Sequence, residues 1–121
     1  SELPDGRPGT WCFGQTAIKV GKRNGTVDLY FAGTDPNTPI AELQILVRGC
    51  NEAEVEQFMR RLFGPQTGQQ GPRAEWQNRE IFAAAYMPYE PGQCLIRMAP
   101  NRETTLIDDM RRPRTTAPQS P

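Results

Sequence analysis

The first half of the chain alternates apolar and polar residues in a way that predicts β-strands. Asn24-Gly25 is the strongest short-range hairpin signal, because a type I′ turn needs positive φ at both central positions. A turn there pairs Val20 with Leu29, which places the apolar side chains of both strands on one face. The residues expected to face the core are Ile18, Val20, Val27, Leu29 and Phe31, and those expected to face away are Lys19, Arg23, Asp28 and Tyr30.

A third strand is predicted over residues 41–49, whose sequence is AELQILVRG. Its residues alternate between an apolar set and a polar set, as in a strand with one face on the core. The apolar set is Leu43, Ile45 and Val47, and the polar set on the opposite face is Glu42, Gln44 and Arg48.

The clearest helix signal in the chain begins at Asn51, a favourable N-cap residue. Glu54, three positions later, gives a pattern like a capping box, and Gly64-Pro65 predicts the end of the helix. The apolar residues between these signals recur at helical spacing and form one stripe wide enough to cover a sheet. They are Val55, Phe58, Met59, Leu62 and Phe63.

The sequence after this helix is harder to interpret. Residues 65–77 contain glutamines, glycines and prolines before the first aromatic residue, and they predict a long loop, which is uncommon unless it is functional or disordered. Residues 78–90 have apolar residues in both alternating sets and predict a strand covered on both faces, although their alanine run also fits a helix. Pro91-Gly92 then predicts a turn into a last strand. The apolar set of that strand is Cys94, Ile96 and Met98.

These elements together predict an α+β fold. We expect a small antiparallel sheet, in the order β-β-β-α-β-β, with one amphipathic helix packed on one face; a partly open barrel plugged by the helix is the alternative. Residues 1–10 are expected to be a flexible N-terminal segment, and residues 11–100 a single α+β domain. Residues 101–121 are expected to be a weakly structured, Arg/Pro-rich C-terminal tail.

Charge and composition exclude several functional classes. Fourteen basic and fourteen acidic side chains give a net charge of zero, so we do not expect nucleic acid or anionic lipid as the partner. The chain has no histidine, which excludes His-dependent catalytic triads and imidazole metal sites. No apolar run approaches the roughly twenty residues that span a bilayer. We therefore expect no cofactor, no metal and no transmembrane segment, and the sequence gives no indication of oligomeric state.

The three cysteines, Cys12, Cys50 and Cys94, are spaced unlike the ligands of a zinc site. Cys50 directly precedes the helix, whose dipole lowers the pKa of a thiol at its N-terminus, but no general base lies in a recognisable motif. A disulfide, with Cys50 and Cys94 as the preferred pair, and buried reduced thiols are the two other interpretations. The disulfide favours an exported or organellar protein, and reduced thiols favour the cytoplasm.

Trp76 is the residue that most suggests a partner, since Trp and Arg are enriched at interface hot spots. It lies close in sequence to Arg73, Gln77 and Arg79, although a tryptophan that covers the core is the alternative. The C-terminal tail adds a group of arginines that lack a nearby aromatic stacking platform for nucleic acid: Arg111, Arg112 and Arg114.

The sequence therefore suggests a non-catalytic protein-interaction module, such as an accessory subunit of a larger assembly. It is expected to bind its protein partner through residues 65–79 and the C-terminal tail. The alternatives are a small enzyme using Cys50 or a carboxylate cleft, and a secreted inhibitor or effector.

Overall fold

The computed structural model describes residues 1–35 and 37–113 and, for Gln15, only the backbone. Seven strands and two helices follow one another along the described chain. The strands are β1 Thr10–Val20, β2 Arg23–Phe31, β3 Ile40–Arg48, β4 Gly68–Gln70, β5 Arg73–Gln77, β6 Ile81–Glu90 and β7 Gln93–Pro100. The helices are α1 Glu52–Phe63, between β3 and β4, and α2 Thr104–Arg111, after β7.

All seven strands belong to one antiparallel sheet in the order β1-β2-β3-β7-β6-β5-β4. The last strand, β7, lies at the centre against β3, and β1 and β4 are the two edges. Among the described strands β1 and β4 are not paired with each other, so the sheet does not close on itself.

Apolar side chains cover both faces of this sheet. One core lies under α1, which contributes Val55 and Met59, and it also contains Trp76, Ile96 and Cys94. The other core lies under α2. It includes Leu3, Phe82, Leu95, Leu106, Ile107 and Met110.

The predicted fold class is wrong, because the fold is sheet-dominated and has a second helix. The segment expected to be a weakly structured tail forms α2, where Leu106, Ile107 and Met110 are buried. Their spacing presents one apolar side to the sheet, whose second face carries apolar residues of β6 and β7. The N-terminal segment, expected to be flexible, buries Leu3 on this same face.

Residues 65–77, predicted to be a loop, instead contain β4 and β5. The two strands are short, at three and five residues, which is too few to display alternation. Gly71, with φ of +56°, lies in the turn that joins them. This hairpin extends the sheet beyond β6 and leaves β4 as a short edge.

The predicted turn at Asn24-Gly25 is wrong, because Val20 pairs with Arg23 and the two residues between them form the turn. Gly21, with φ of +66°, supplies the required backbone conformation. Gly25 instead allows a close approach of two strands: a Cβ atom there would lie 2.6 Å from Cγ2 of Ile45. The register differs from the prediction by an even number of residues, so the predicted faces are largely retained.

Several predictions are confirmed. The helix begins after Asn51, whose Oδ1 accepts hydrogen bonds from the backbone N–H groups of Ala53 (2.9 Å) and Glu54 (3.3 Å). The Glu54 carboxylate accepts from the backbone N–H of Lys22 (3.1 Å) instead of completing a capping box. The segment with the alanine run is a strand, β6, and not a helix.

The predicted disulfide between Cys50 and Cys94 is also confirmed. It joins the residue before the N-cap of α1 to the buried start of β7, with 5.6 Å between the Cα atoms. Cys50 therefore forms a covalent cross-link with Cys94 and does not carry a free thiol. Cys12, on β1, is the free cysteine of the described chain.

Candidate functional site

A buried network of charges lies on the sheet face that α2 covers. The Nε of Arg97 donates to Oε2 of Glu42 (2.7 Å), and its Nη2 donates to Oε1 of the same carboxylate (3.0 Å). The same Nη2 lies 3.0 Å from Oδ2 of Asp109 on α2. Glu42 is fully buried, so its charge depends on Arg97 for compensation.

The position of this network follows from strand register. Arg97 of β7 lies opposite Gln44 of β3, and Glu42 is two residues along β3 on the same face. Gln44 donates from Nε2 to Oε2 of Glu42 (2.8 Å). Polar residues of both central strands therefore meet where α2 brings Asp109 over the sheet.

Burial perturbs the titration of the groups in this network. It raises the pKa of Glu42, against the lowering effect of Arg97. Burial alone would lower the pKa of Arg97, but the hydrogen bonds and charge of Glu42 raise it overall. Burial, with the charges of Asp28 and Glu42, raises the pKa of Tyr30 to about 12. The Tyr30 hydroxyl therefore keeps its proton at neutral pH.

A cleft of about 380 Å³ opens beside the network, within the size range of small-ligand pockets. Residues of β3, β6 and β7 form its floor, and Pro4 and the C-terminal end of α2 form its wall. Tyr86 donates from its hydroxyl to the backbone carbonyl of Met110 (2.6 Å), which fixes that end of α2. The lining residues are Pro4, Gln44, Tyr86, Tyr89, Leu95, Arg97, Asp109, Arg112 and Pro113.

Aromatic side chains continue from this cleft toward the edge strand β1. Trp11 stacks on Tyr30 with 6.0 Å between ring centroids, and Phe13 lies 5.1 Å from Trp11. In the cleft, the rings of Tyr86 and Tyr89 are 6.2 Å apart and meet edge to face. Tyr30 and Tyr89 both pack, partly buried, against the core on this face of the sheet. We call Phe13, Trp11, Tyr30, Tyr89 and Tyr86 the aromatic strip.

The β1 end of the aromatic strip is exposed. Trp11 is 45% exposed and Phe13 66% exposed. A bulge between Cys12 and Thr16 interrupts the pairing of β1 with β2, and Phe13 lies within it. Gly14 in this bulge has φ of +62° and donates its N–H to Oδ1 of Asp28 (2.8 Å). The bulge is therefore held in place by β2.

The structure does not gather the predicted partner-binding residues of the 65–79 segment into one exposed surface. Trp76 is fully buried under α1, as in the alternative that it covers the core, and its Nε1–H has no hydrogen-bond partner among the described residues. Arg73 is 7% exposed and lies on the opposite face, where its Nε is 3.0 Å from Oε2 of Glu75. Gln77 and Arg79 are exposed, and Gln77 donates to Oδ1 of Asn101 (3.1 Å).

The predicted arginine group of the tail is divided. The guanidinium of Arg111 lies over the ring of Phe82, 4.4 Å from its centroid, and Arg112 lines the cleft. Arg112 donates from Nη1 to Oδ1 of Asp109 (3.0 Å). Arg114 lies outside the described residues.

Sequence reasoning missed the cleft and the aromatic strip. It correctly predicted that the side chains of Glu42 and Tyr30 point to the face opposite α1. It did not predict that another helix would cover that face. Two signals could have revealed the layer. One is the apolar residues in both alternating sets of residues 78–90, and the other is the apolar group Leu106, Ile107 and Met110.

Neither α1 nor α2 has the length and hydrophobicity that a membrane-spanning helix requires. Within residues 1–35 and 37–113, no group of three or more His, Cys, Asp or Glu side chains is arranged to hold a metal ion. Comparison of the chain with family models, with curated proteins and with solved structures finds no match.

Proposed function

We propose that this protein is a non-catalytic protein-interaction module that binds an extended segment of a partner protein on the aromatic strip. The observation that carries the proposal is the exposure of Trp11 and Phe13 beside Tyr30, at the β1 end of the sheet face on which α2 packs. The strip takes the place of the 65–79 segment, whose Trp76 is buried.

Energetics support an interface at this position. An aromatic side chain buries about 150–250 Å² when fully covered, and each Å² of apolar surface contributes about 25 cal/mol. Trp11 and Phe13 still expose about half of their surface, so a partner that covers them gains on the order of 2 kcal/mol from each. Tryptophan and tyrosine are also the residues most enriched at interface hot spots.

The shape of the aromatic strip suits an extended segment. It runs from β1 to β6 across four spacings between neighbouring strands, a width of about 19 Å. The Tyr89 end lies in the cleft and the Phe13 end lies at the sheet edge. A peptide of several residues can therefore contact both ends at once.

Selection from a random peptide library displayed on phage tests the proposal. We expect enriched peptides that bind the wild-type protein and bind a Trp11→Ser variant at least about tenfold more weakly, since the loss of about 1.4 kcal/mol is a factor of ten. Leu62→Ser is the matched control, because Leu62 is 53% exposed on α1 at the other face. Peptides that bind both variants equally well, or no enrichment at all, would contradict binding through the strip.

A further inference from the structure

The polar groups at the β1 end of the aromatic strip, on exposed Trp11 and half-buried Tyr30, are hydrogen-bond donors. Among the described residues, the indole N–H of Trp11 and the hydroxyl of Tyr30 have no hydrogen-bond partner. The Tyr30 hydroxyl is protonated at neutral pH like an ordinary tyrosine, and burial and nearby carboxylates raise its pKa further, to about 12. A ligand on the strip is therefore expected to supply acceptors.

The charges of the network beside the strip compensate one another, and Asp28 is the exception. Arg97 is paired with Glu42 and with Asp109, and Asp109 also accepts from Arg112. Asp28 at the β1 end accepts the N–H of Gly14 but has no ion-pair partner among the described residues. This surface therefore disfavours a negatively charged ligand and offers a positively charged one a single carboxylate, so an uncharged segment fits it.

Addition of a partner strand to the edge of β1 does not fit this region. Edge pairing needs a regular row of outward N–H and C=O groups, and the bulge between Cys12 and Thr16 breaks that row. The N–H of Gly14 is also turned toward Asp28. The ligand is therefore expected to lie on the face of the sheet and not along its edge.

A polyproline II segment meets these requirements. It has no internal hydrogen bonds, so its carbonyl groups remain available as acceptors, and proline has no N–H to satisfy. Proline-rich segments dock in aromatic-lined grooves at a low cost in conformational entropy. At a rise of about 3.1 Å per residue, roughly six residues cross the strip's width of about 19 Å.

We propose that the partner segment is a proline-rich, uncharged polyproline II helix that lies across the aromatic strip. The proposal rests on the proposed function and adds the chemical class of the ligand. Its proline rings pack on Trp11 and Tyr30, and its carbonyl groups accept from their indole N–H and hydroxyl.

The test is an NMR titration of the ¹⁵N-labelled protein with two capped peptides, one of three Ala-Pro-Pro repeats and one of three Ala-Ser-Ser repeats. The indole signal of Trp11 reports on the strip, and that of the buried Trp76 is an internal reference. We expect the proline peptide to shift the Trp11 signal saturably and leave the Trp76 signal in place. The serine peptide should bind at least about tenfold more weakly.

A Tyr30→Phe variant tests the acceptor role of the peptide, and Leu62→Ser is the control. Loss of one hydroxyl donor is expected to weaken proline-peptide binding about two- to tenfold in Tyr30→Phe and to leave Leu62→Ser unchanged. Equal binding of both peptides overturns the proline inference and leaves binding of an extended segment intact. Absence of any Trp11 shift, or equal shifts of both indoles, also overturns the inference, and the library selection then decides the proposed function separately.

Discussion

Arg97 is the residue on which the charges of the cleft depend. It binds Glu42 with two nitrogens and reaches Asp109, so it connects the centre of the sheet to α2. Glu42 is fully buried, and a buried carboxylate without its partner is strongly destabilising. The effect of removing Arg97 should therefore exceed that of a surface ion pair.

We predict that Arg97→Met lowers the free energy of unfolding by about 3–5 kcal/mol at pH 7, measured by urea denaturation. Burial raises the pKa of Glu42, and the lowering effect of Arg97 is lost in the variant. A carboxyl group whose pKa is raised in the fold stabilises that fold below its ordinary pKa of about 4.3, and this contribution is lost as pH rises through the folded pKa. The difference in free energy of unfolding between the wild type and Arg97→Met should therefore decrease as the pH falls from 7 toward about 4.

The double variant Glu42→Gln/Arg97→Met is the control for this prediction. It removes the buried negative charge together with its partner, so it should be more stable than Arg97→Met alone at pH 7 and lack most of the pH dependence. If Arg97→Met were as stable as the wild type, the ion pair of Arg97 with Glu42 would not be required for the stability of the fold.

At the scale of elements, α2 stabilises the sheet by packing and not by its own helical propensity. It has only eight residues, and its N-cap residue, Glu103, makes no side-chain capping hydrogen bond. Isolated helices of this length are marginal in water, so the apolar side formed by Leu106, Ile107 and Met110 holds α2 in place. Loss of one of these side chains should affect the whole domain.

We predict that Leu106→Ala lowers the free energy of unfolding by about 2–5 kcal/mol, because it leaves a cavity in a fully packed site. Leu62→Ala on α1 is the matched control, since Leu62 is 53% exposed and its loss should cost less than about 1 kcal/mol. Urea denaturation followed by circular dichroism compares the two. Equal stability of the two variants would mean that α2 is not part of the cooperative unit.

The contrast between the two helices shows how much of the fold was predictable from the sequence. α1 has a side-chain N-cap, a complete apolar stripe and a clear stop signal, and each of these is local in sequence. α2 has three buried residues and no cap bond, so its helical state depends on contacts with distant strands. Local patterns do not contain those contacts.

The candidate site was not predictable for the same reason. The burial of Glu42 requires β7 to lie beside β3 and α2 to cover both, which is a property of the assembled sheet. Gly25 is a similar case, since its sequence context signals a turn while its position allows contact with Ile45. The face of the sheet to which each side chain points was predictable from the alternation of apolar and polar residues. The order of the strands in the sheet and the presence of α2 on the second face were not.

At the scale of the whole molecule, the disulfide joins the two halves of the chain at the centre of the sheet. Cys50 and Cys94 are separated by 44 residues, and α1 and the β4–β5 hairpin lie within the closed loop. A cross-link of this span restricts the unfolded chain and typically contributes about 2–4 kcal/mol.

We predict that the double variant Cys50→Ala/Cys94→Ala unfolds at a lower urea concentration than wild type, with a loss of about 2–4 kcal/mol. Treatment of the wild-type protein with dithiothreitol should give a similar loss. Cys12→Ala, on the edge strand, is the control and should change stability by less than about 1 kcal/mol. A wild-type protein that is insensitive to reduction would contradict this role.

The position of β7 has a consequence for the newly made chain as it leaves the ribosome. β1, β2 and β3 can pair as soon as they emerge, but the inner edge of β3 has no partner until β7 is synthesised about 45 residues later. During that interval the edge that becomes the centre of the sheet is open to unwanted pairing with other chains. The nascent protein is therefore most prone to aggregate just before its last strand is released, and a chaperone that covers β3 would protect it at that stage.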